Sequence, residues 1–259
     1  AKKAGRIAAE GMVECYVEGN VGVVVEINCE TDFVANTDNF KSLCRDYAKH
    51  IIAKNPATVE EMLAQPFYAD ETKTVNDLIG EATAAIGEKI SLRRFARFEA
   101  ANGMVDTYIH MGGKVGVLVQ AECPEVNDTV KEVLHDVALQ IAAASPVAPE
   151  YVTRDQVDPA HLQHETEILA AQARNEGKPE KIIEKMVQGR INKFYEENCL
   201  LQQAFVKENK ISVEKHVAEV AKQAGASIKV VGFKRFATGE GIEKRQDDLA
   251  AEVAKLVNG

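Results

Sequence analysis

The chain contains a partial copy of itself. Gly22-Val-Val-Val-Glu-Ile-Asn-Cys29 reads like Gly116-Val-Leu-Val-Gln-Ala-Glu-Cys123, 94 residues further on. A helix-like stretch ending at Pro56 reads like one ending at Pro146, 90 residues on. Ile90-Ser-Leu-Arg-Arg-Phe95-Ala-Arg97-Phe98 reads like Ile228-Lys-Val-Val-Gly-Phe233-Lys-Arg235-Phe236, 138 residues on. Duplication restricts the fold strongly: one unit must suit both copies. The changes in separation locate the differences. The fall from 94 to 90 gives the first copy four extra residues, around Thr31-Asp32-Phe33-Val34. The rise to 138 gives the second copy a large insertion, about residues 153–205.

Residues 12–18 and 21–28 alternate apolar and polar, with Val13, Cys15 and Val17 on one face and Val21, Val23, Val25 and Ile27 on the next. Gly19-Asn20 between them is a hairpin signal. Residues 104–111 and 114–121 repeat the arrangement around Gly112-Gly113. Helical spacing follows each hairpin: Phe40, Leu43, Cys44, Tyr47, Ala48 and Ile51, then Val130, Val133, Leu134, Val137, Ala138 and Ile141. A second helix precedes each closing strand, marked by Val75, Leu78, Ile79, Ala82 and Ile86 and by Val213, Val217, Val220 and Ala221. Thr74-x-x-Asp77 is a capping signal for the first of these. The repeated unit is therefore hairpin, helix, helix, strand. An antiparallel sheet can bury one face under its helices, so the expected class is α+β, with a duplicated core of two subdomains.

The expected division is a linker at 1–11, a first subdomain at 12–101, a second at 102–238, and a C-terminal helical module at 239–259. In the insertion, Thr153-x-x-Gln156 reads as a cap, and Ile168, Leu169 and Gln172 have helical spacing. Asn175-Glu-Gly-Lys-Pro179 then breaks the pattern. Ile182, Ile183, Met186, Val187, Arg190, Ile191 and Phe194 line a second helix. Joined by a short turn, the two should form an antiparallel hairpin. Its charged faces favour projection over a place in the core. Leu249, Val253, Leu256 and Val257 mark a last amphipathic helix, to dock on its own core or on a partner.

The 259 residues carry 40 acidic against 31 basic side chains, a formal charge of −9. That balance argues against a general binder of nucleic acid or anionic membranes, which needs clustered Lys and Arg. No apolar run approaches the roughly 20 residues of a membrane span. The five cysteines are odd in number and include no Cys-x-x-Cys pair, which suits buried thiols in a cytosolic or organelle-matrix protein. The chain opens without Met in a basic Ala1-Lys-Lys-Ala-Gly-Arg6 run and reads as a fragment or processed form.

Motifs for catalysis are sparse. Neither a Gly-x-x-x-x-Gly-Lys-Ser/Thr phosphate loop nor a Gly-x-Ser-x-Gly elbow occurs. His161-x-x-His164 could face a metal at helical spacing but lacks a third ligand nearby, so a solvated face is favoured. Cys29 and Cys123 end equivalent strands, which suits repeated packing sites better than one nucleophile. Phe33 is different. It belongs to the four-residue insertion, among Glu30, Thr31, Asp32, Asn36, Thr37 and Asp38. The shared fold does not require it, and a Phe on a polar loop can fill a partner's pocket.

Asn28-Cys-Glu-Thr-Asp-Phe-Val-Ala35 resembles the signature of the elongation factor Ts family. In order along the chain, so do Lys2-Lys-Ala-Gly-Arg-Ile-Ala-Ala-Glu-Gly11, Ile86-Gly-Glu88, Arg93-Arg94, His110 with Gly116-Val-Leu-Val119, Gly177-Lys-Pro179, Glu184-Lys-Met-Val187 with Gly189-Arg190, Gln203 with Phe205-Val206, and Gly239-Glu-Gly-Ile-Glu243. The resemblance implies a guanine-nucleotide exchange factor for elongation factor Tu, not an enzyme. It implies no cofactor or metal of its own, no direct nucleotide binding, and no membrane or stable nucleic-acid partner. The implied setting is the bacterial cytoplasm or an organelle matrix. Asp32 and Phe33, flanked by Thr31 and Val34, would enter the GTPase domain near its Mg²⁺ and phosphate loops, with Phe33 as a wedge. Ile86, Gly87, His110, Phe205 and Val206 match further contact positions. The family normally begins with a small ubiquitin-associated-like module, and this chain is expected to start at the linker after it. Two other readings compete. One is a translation scaffold docking through the helical hairpin; the other is a thiol-dependent enzyme using Cys29 or Cys123.

Overall fold

The computed structural model describes residues 3–244. β1 (Glu10–Glu18) and β2 (Val21–Cys29) form the first hairpin, with Glu18 opposite Val21. Gly19 supplies the positive φ, 61°, that a tight turn between right-twisted strands needs. β5 (Ser91–Glu99) pairs antiparallel with the other edge of β2, giving the order β1-β2-β5. The second half repeats this with β6 (Gly103–His110), β7 (Val115–Glu122) and β10 (Lys229–Ala237), in the order β10-β7-β6. Its hairpin turn is wider than the glycine pair suggests, because His110 pairs with Val115 and leaves Met111 to Lys114 outside the ladder.

Each sheet is covered on one face by two helices. α2 (Asp38–Lys54) and α4 (Val75–Ile86) cover the first; α5 (Asp128–Ala143) and α8 (Val213–Ala224) cover the second. The caps are legible in the residues. Thr37, Asn127 and Ser212 each accept a backbone N–H three residues ahead, and Thr74 and Asp77 form a full capping box. Short α3 (Val59–Ala64), β3 (Pro66–Phe67) and β4 (Asp70–Thr74) join α2 to α4. β8 (Ala204–Phe205) and β9 (Glu208–Ser212) repeat those two strands at the same separation of 138. β3 and β8 are two residues long, too short for alternation, and β4 and β9 are largely polar and exposed, so periodicity does not mark these small hairpins.

The faces away from the helices pack on each other. Val13, Cys15 and Val24 from the first sheet meet Val105, Leu118 and Phe236 from the second. β2 is therefore buried along its whole length, although its alternation suggests one buried face. Gly22 and Gly116 occupy equivalent positions at this contact. A Cβ on Gly22 would lie 2.7 Å from Leu118 Cδ1, and one on Gly116 would lie 2.3 Å from Val13 Cγ1. Both copies use glycine here because the opposing sheet leaves no room for a side chain.

The insertion forms an antiparallel pair, α6 (Pro159–Asn175) and α7 (Glu180–Asn198), tied by Glu165 and Arg190 at 2.7 Å. Only a narrow seam is buried, at Ala173, Ile183 and Phe194. Ile168 and Ile182, expected on that seam, are exposed, because a single partner helix covers only part of each apolar stripe. Thr153 makes no side-chain cap; instead Gln156 accepts the Val152 N–H at 2.9 Å. The amphipathic pattern of Leu249 to Val257 lies outside the described residues.

Candidate functional site

The segment with the four extra residues forms a single helical turn, α1 (Asp32–Ala35), capped by Thr31, where the sequence suggests a loop. Thr31 starts it by accepting the Val34 N–H at 3.3 Å. Asn36 Nδ2 donates to the Asp32 carbonyl at 2.9 Å, and Thr37 Oγ1 donates to the Val34 carbonyl at 2.7 Å. Thr37 then caps α2 through the Phe40 N–H. One turn is too short to stand by itself in water. It persists because Ala35 is buried, Val34 leans on the first core, and polar straps hold both ends.

The main strap is Glu88. Its Oε2 accepts the N–H groups of Glu30 and Thr31 at 2.9 and 3.0 Å, and its Oε1 accepts the Thr31 hydroxyl at 2.6 Å. Glu30 returns the arrangement by accepting the Lys89 N–H at 2.8 Å and pairing with Arg6 at 3.4 Å. The Lys89 N–H, with help from Arg6, lowers the Glu30 carboxyl below its ordinary pKa. Gly87, with φ 86°, ends α4 and turns the chain toward Glu88. Ile86 itself lines a groove with Asn39, Ser42 and Leu43 of α2.

Above this anchored base Phe33 is 83% exposed. Asp32 and Asn36 share a cleft with Glu10, Met111, Gly112 and Lys114, so the β6–β7 turn of the second half reaches the same surface. That turn is fixed to β1 by the Val13 N–H, which donates to the Gly113 carbonyl at 2.8 Å. Met111 is 65% exposed and His110 beside it is also exposed, its Nδ1 within 3.1 Å of Tyr108 Oη.

Phe205 and Val206 are not equivalent candidates. Phe205 is only 4% exposed and stacks on His216, with ring centroids 4.1 Å apart. Its counterpart Phe67 is likewise buried and stacks on His50. Phe205 is thus a core aromatic with no face to offer a partner, whereas Val206 beside it is 44% exposed. Lys207, the next residue in the chain, lines a separate cleft with Asp106, His135 and Asp136.

Cys29 lies beneath the turn and donates its thiol to the Thr31 carbonyl at 3.2 Å. Burial, reinforced by the Glu88 charge, pushes its pKa up to about 12. Burial also raises Cys123. A nucleophilic cysteine needs the opposite shift, so the buried setting of both thiols suits packing better than nucleophilic chemistry. His161 is held by Tyr151 Oη at 3.0 Å and packs perpendicular to the Phe194 ring, while His164 is exposed. Among the described residues no three His, Cys, Asp or Glu side chains gather as a metal site, and no helix is long and apolar enough to cross a membrane. Sequence reasoning missed Glu88 and Met111 as parts of the site. The available signal for Glu88 was its place in the Ile86-Gly-Glu88 match to the family pattern.

A family model described as Elongation factor TS matches residues 30–240. Elongation factor Ts of Trichlorobacter lovleyi is 49% identical over 259 residues, covering 98% of this chain and 82% of the relative. Those of Clostridium kluyveri and Clostridium botulinum are 44% and 45% identical, each covering all of this chain and 84% of the relative.

Proposed function

Because this chain belongs to the elongation factor Ts family of translation elongation and exchange factors, we propose that it binds elongation factor Tu carrying GDP and promotes release of the nucleotide. In this reading the α1 turn enters the GTPase domain, Asp32 and Phe33 act near the Mg²⁺ and phosphate site, and GTP can then load. Thr31 and Val34 hold the turn; Ile86, Gly87 and His110 make flanking contacts. Val206 adds a contact on the second half, supported from below by Phe205. Residues 12–101 would face the GTPase domain and residues 102–238 the partner's third domain. The bacterial relatives favour a bacterial cytoplasmic setting.

The observation that carries the proposal is the contrast at Phe33. Its side chain is almost wholly exposed while the backbone on either side is tied by hydrogen bonds. Exposing a Phe forfeits about 1.5–3 kcal/mol of burial in the free protein, which a partner's pocket can recover. Held rigidly, it loses little further entropy on docking.

No acid, base or metal on this chain is required. Exchange is a coupling between two ligands of one protein: a factor that prefers the nucleotide-free state must weaken nucleotide binding by the same ratio. Each tenfold acceleration corresponds to about 1.4 kcal/mol off the release barrier. One buried Phe therefore accounts for roughly one to two tenfold steps, and the flanking contacts supply the remainder. Stopped-flow release of a fluorescent GDP analogue from elongation factor Tu tests this. The Phe33→Ala variant should remain folded and lose most of the stimulation. Undiminished stimulation would overturn the proposal.

A further inference from the structure

We infer that Glu88 is a positioning residue for exchange, one that fixes the direction of Phe33 without touching the partner. The inference rests on the wedge reading above and assigns the wedge its support.

The route from Glu88 to Phe33 is short and continuous. Glu88 Oε1 accepts a hydrogen bond from the Thr31 hydroxyl at 2.6 Å. That donation turns the hydroxyl so that a lone pair faces the Val34 N–H at 3.3 Å. The Val34 N–H belongs to the peptide that leaves Phe33, so the relay ends on the backbone carrying the ring. Oε2 meanwhile holds the N–H groups of Glu30 and Thr31, which lie between the end of the β1–β2 ladder and the first turn of α1. One half-buried carboxylate thus satisfies three donors, and bonds to a charged acceptor are the stronger kind.

The second half provides an internal control. Gly225 ends α8 as Gly87 ends α4, also with a positive φ, 61° against 86°. The residue after Gly225 is Ala226, at the position equivalent to Glu88, and Cys123 runs into Pro124 with no inserted turn. The scaffold therefore closes this helix without a carboxylate. The carboxylate accompanies the turn that carries Phe33.

The chain contains no Trp, so Phe33→Trp places a single indole at the tip. In that background, Glu88→Ala should increase the amplitude of fast anisotropy decay of the indole, and Glu88→Gln, which retains an acceptor and the side-chain length, should restore most of the rigid signal. Thr31→Val, which keeps the shape but removes the hydroxyl relay, should loosen the indole as Glu88→Ala does. With native Phe33, Glu88→Ala should slow maximal GDP release at saturating factor by about tenfold, the scale of one or two lost charge-assisted bonds. Added to Phe33→Ala, it should slow release by much less than it does alone, leaving only the share carried by Asp32. Unchanged anisotropy in both the Glu88→Ala and Thr31→Val proteins, or a full additional loss in the double variant, would overturn the assignment. If Phe33→Ala alone leaves release intact, the wedge reading fails; the anisotropy series still decides whether Glu88 orders the turn.

Discussion

Gly87 and Gly225 end equivalent helices, yet the first is followed by Glu88 and the second by Ala226. The same division recurs through the two halves. What both contain is what the scaffold needs: Gly22 and Gly116 where the sheets meet, and Phe67 and Phe205 stacked on histidines. Arg97 and Arg235 also recur, reaching the carbonyls of Ile52 and Ala142 at the ends of α2 and α5. What only one half contains is attached to that scaffold: α1 with its Glu88 strap in the first, and the α6–α7 hairpin in the second. The stacked histidines refine the point. His50 comes from α2 and His216 from α8, so the stacking contact recurs although its source does not. An element absent from the sister copy is released from the demands of the shared core and is open to a role in binding.

Substitutions can set the shared and unshared residues against each other. The largest expected effect is on exchange. Phe33→Ala should cut stimulated GDP release by roughly tenfold or more, as the lost burial implies. Its thermal midpoint should barely move, since an exposed side chain carries little stability. Gly116→Ala should do the reverse. Its new Cβ would meet Val13 at 2.3 Å, so unfolding in urea should show a loss of about 1–3 kcal/mol from overpacking. The α1 turn, strapped by Glu88 rather than by this contact, should still stimulate release while the protein is folded. If Gly116→Ala abolished exchange at unchanged stability, the division between scaffold and site would fail.

Replacing residues 165–190 with a short Gly-Ser turn removes most of the hairpin while keeping Phe194 against His161. Stimulated release should then change by less than about twofold, a difference under ~0.5 kcal/mol. Collapse of binding would instead make the hairpin the main docking surface.

Much of the scaffold was legible because it is written twice. Alternation, caps and the three separations placed both sheets, all four covering helices and the hairpin insertion. The exposed Phe33 followed from the same comparison, since the residues around it have no counterpart. Other features depend on contacts that one-dimensional spacing does not carry. The outer face of β2 is buried by a second sheet, and Phe205 is covered by His216. Glu88 is joined to Thr31 across 57 residues by hydrogen bonds, and no local pattern marks that pairing. The family resemblance named Ile86 and Gly87 as contacts; the geometry adds the residue that links them to the turn.

The buried thiols give the smallest predicted effect and separate packing from chemistry in both halves. Burial pushes Cys15 and Cys29 up to about 12. An unfolded thiol titrates near 8.5, so the fold favours the protonated form. Stability from these thiols is complete below that value and is lost as pH rises from there toward 12. Thermal midpoints should therefore hold through neutral pH and fall above about pH 8.5, where unfolded thiols begin to ionise. Cys29→Ser should lessen that alkaline decline while leaving GDP release at pH 7.5 unchanged within about twofold. A large loss of release at neutral pH, with the midpoint preserved, would give Cys29 a role beyond supporting the Thr31 carbonyl. It would also break the comparison, because Cys123 holds the equivalent strand end in the half that has no turn to support.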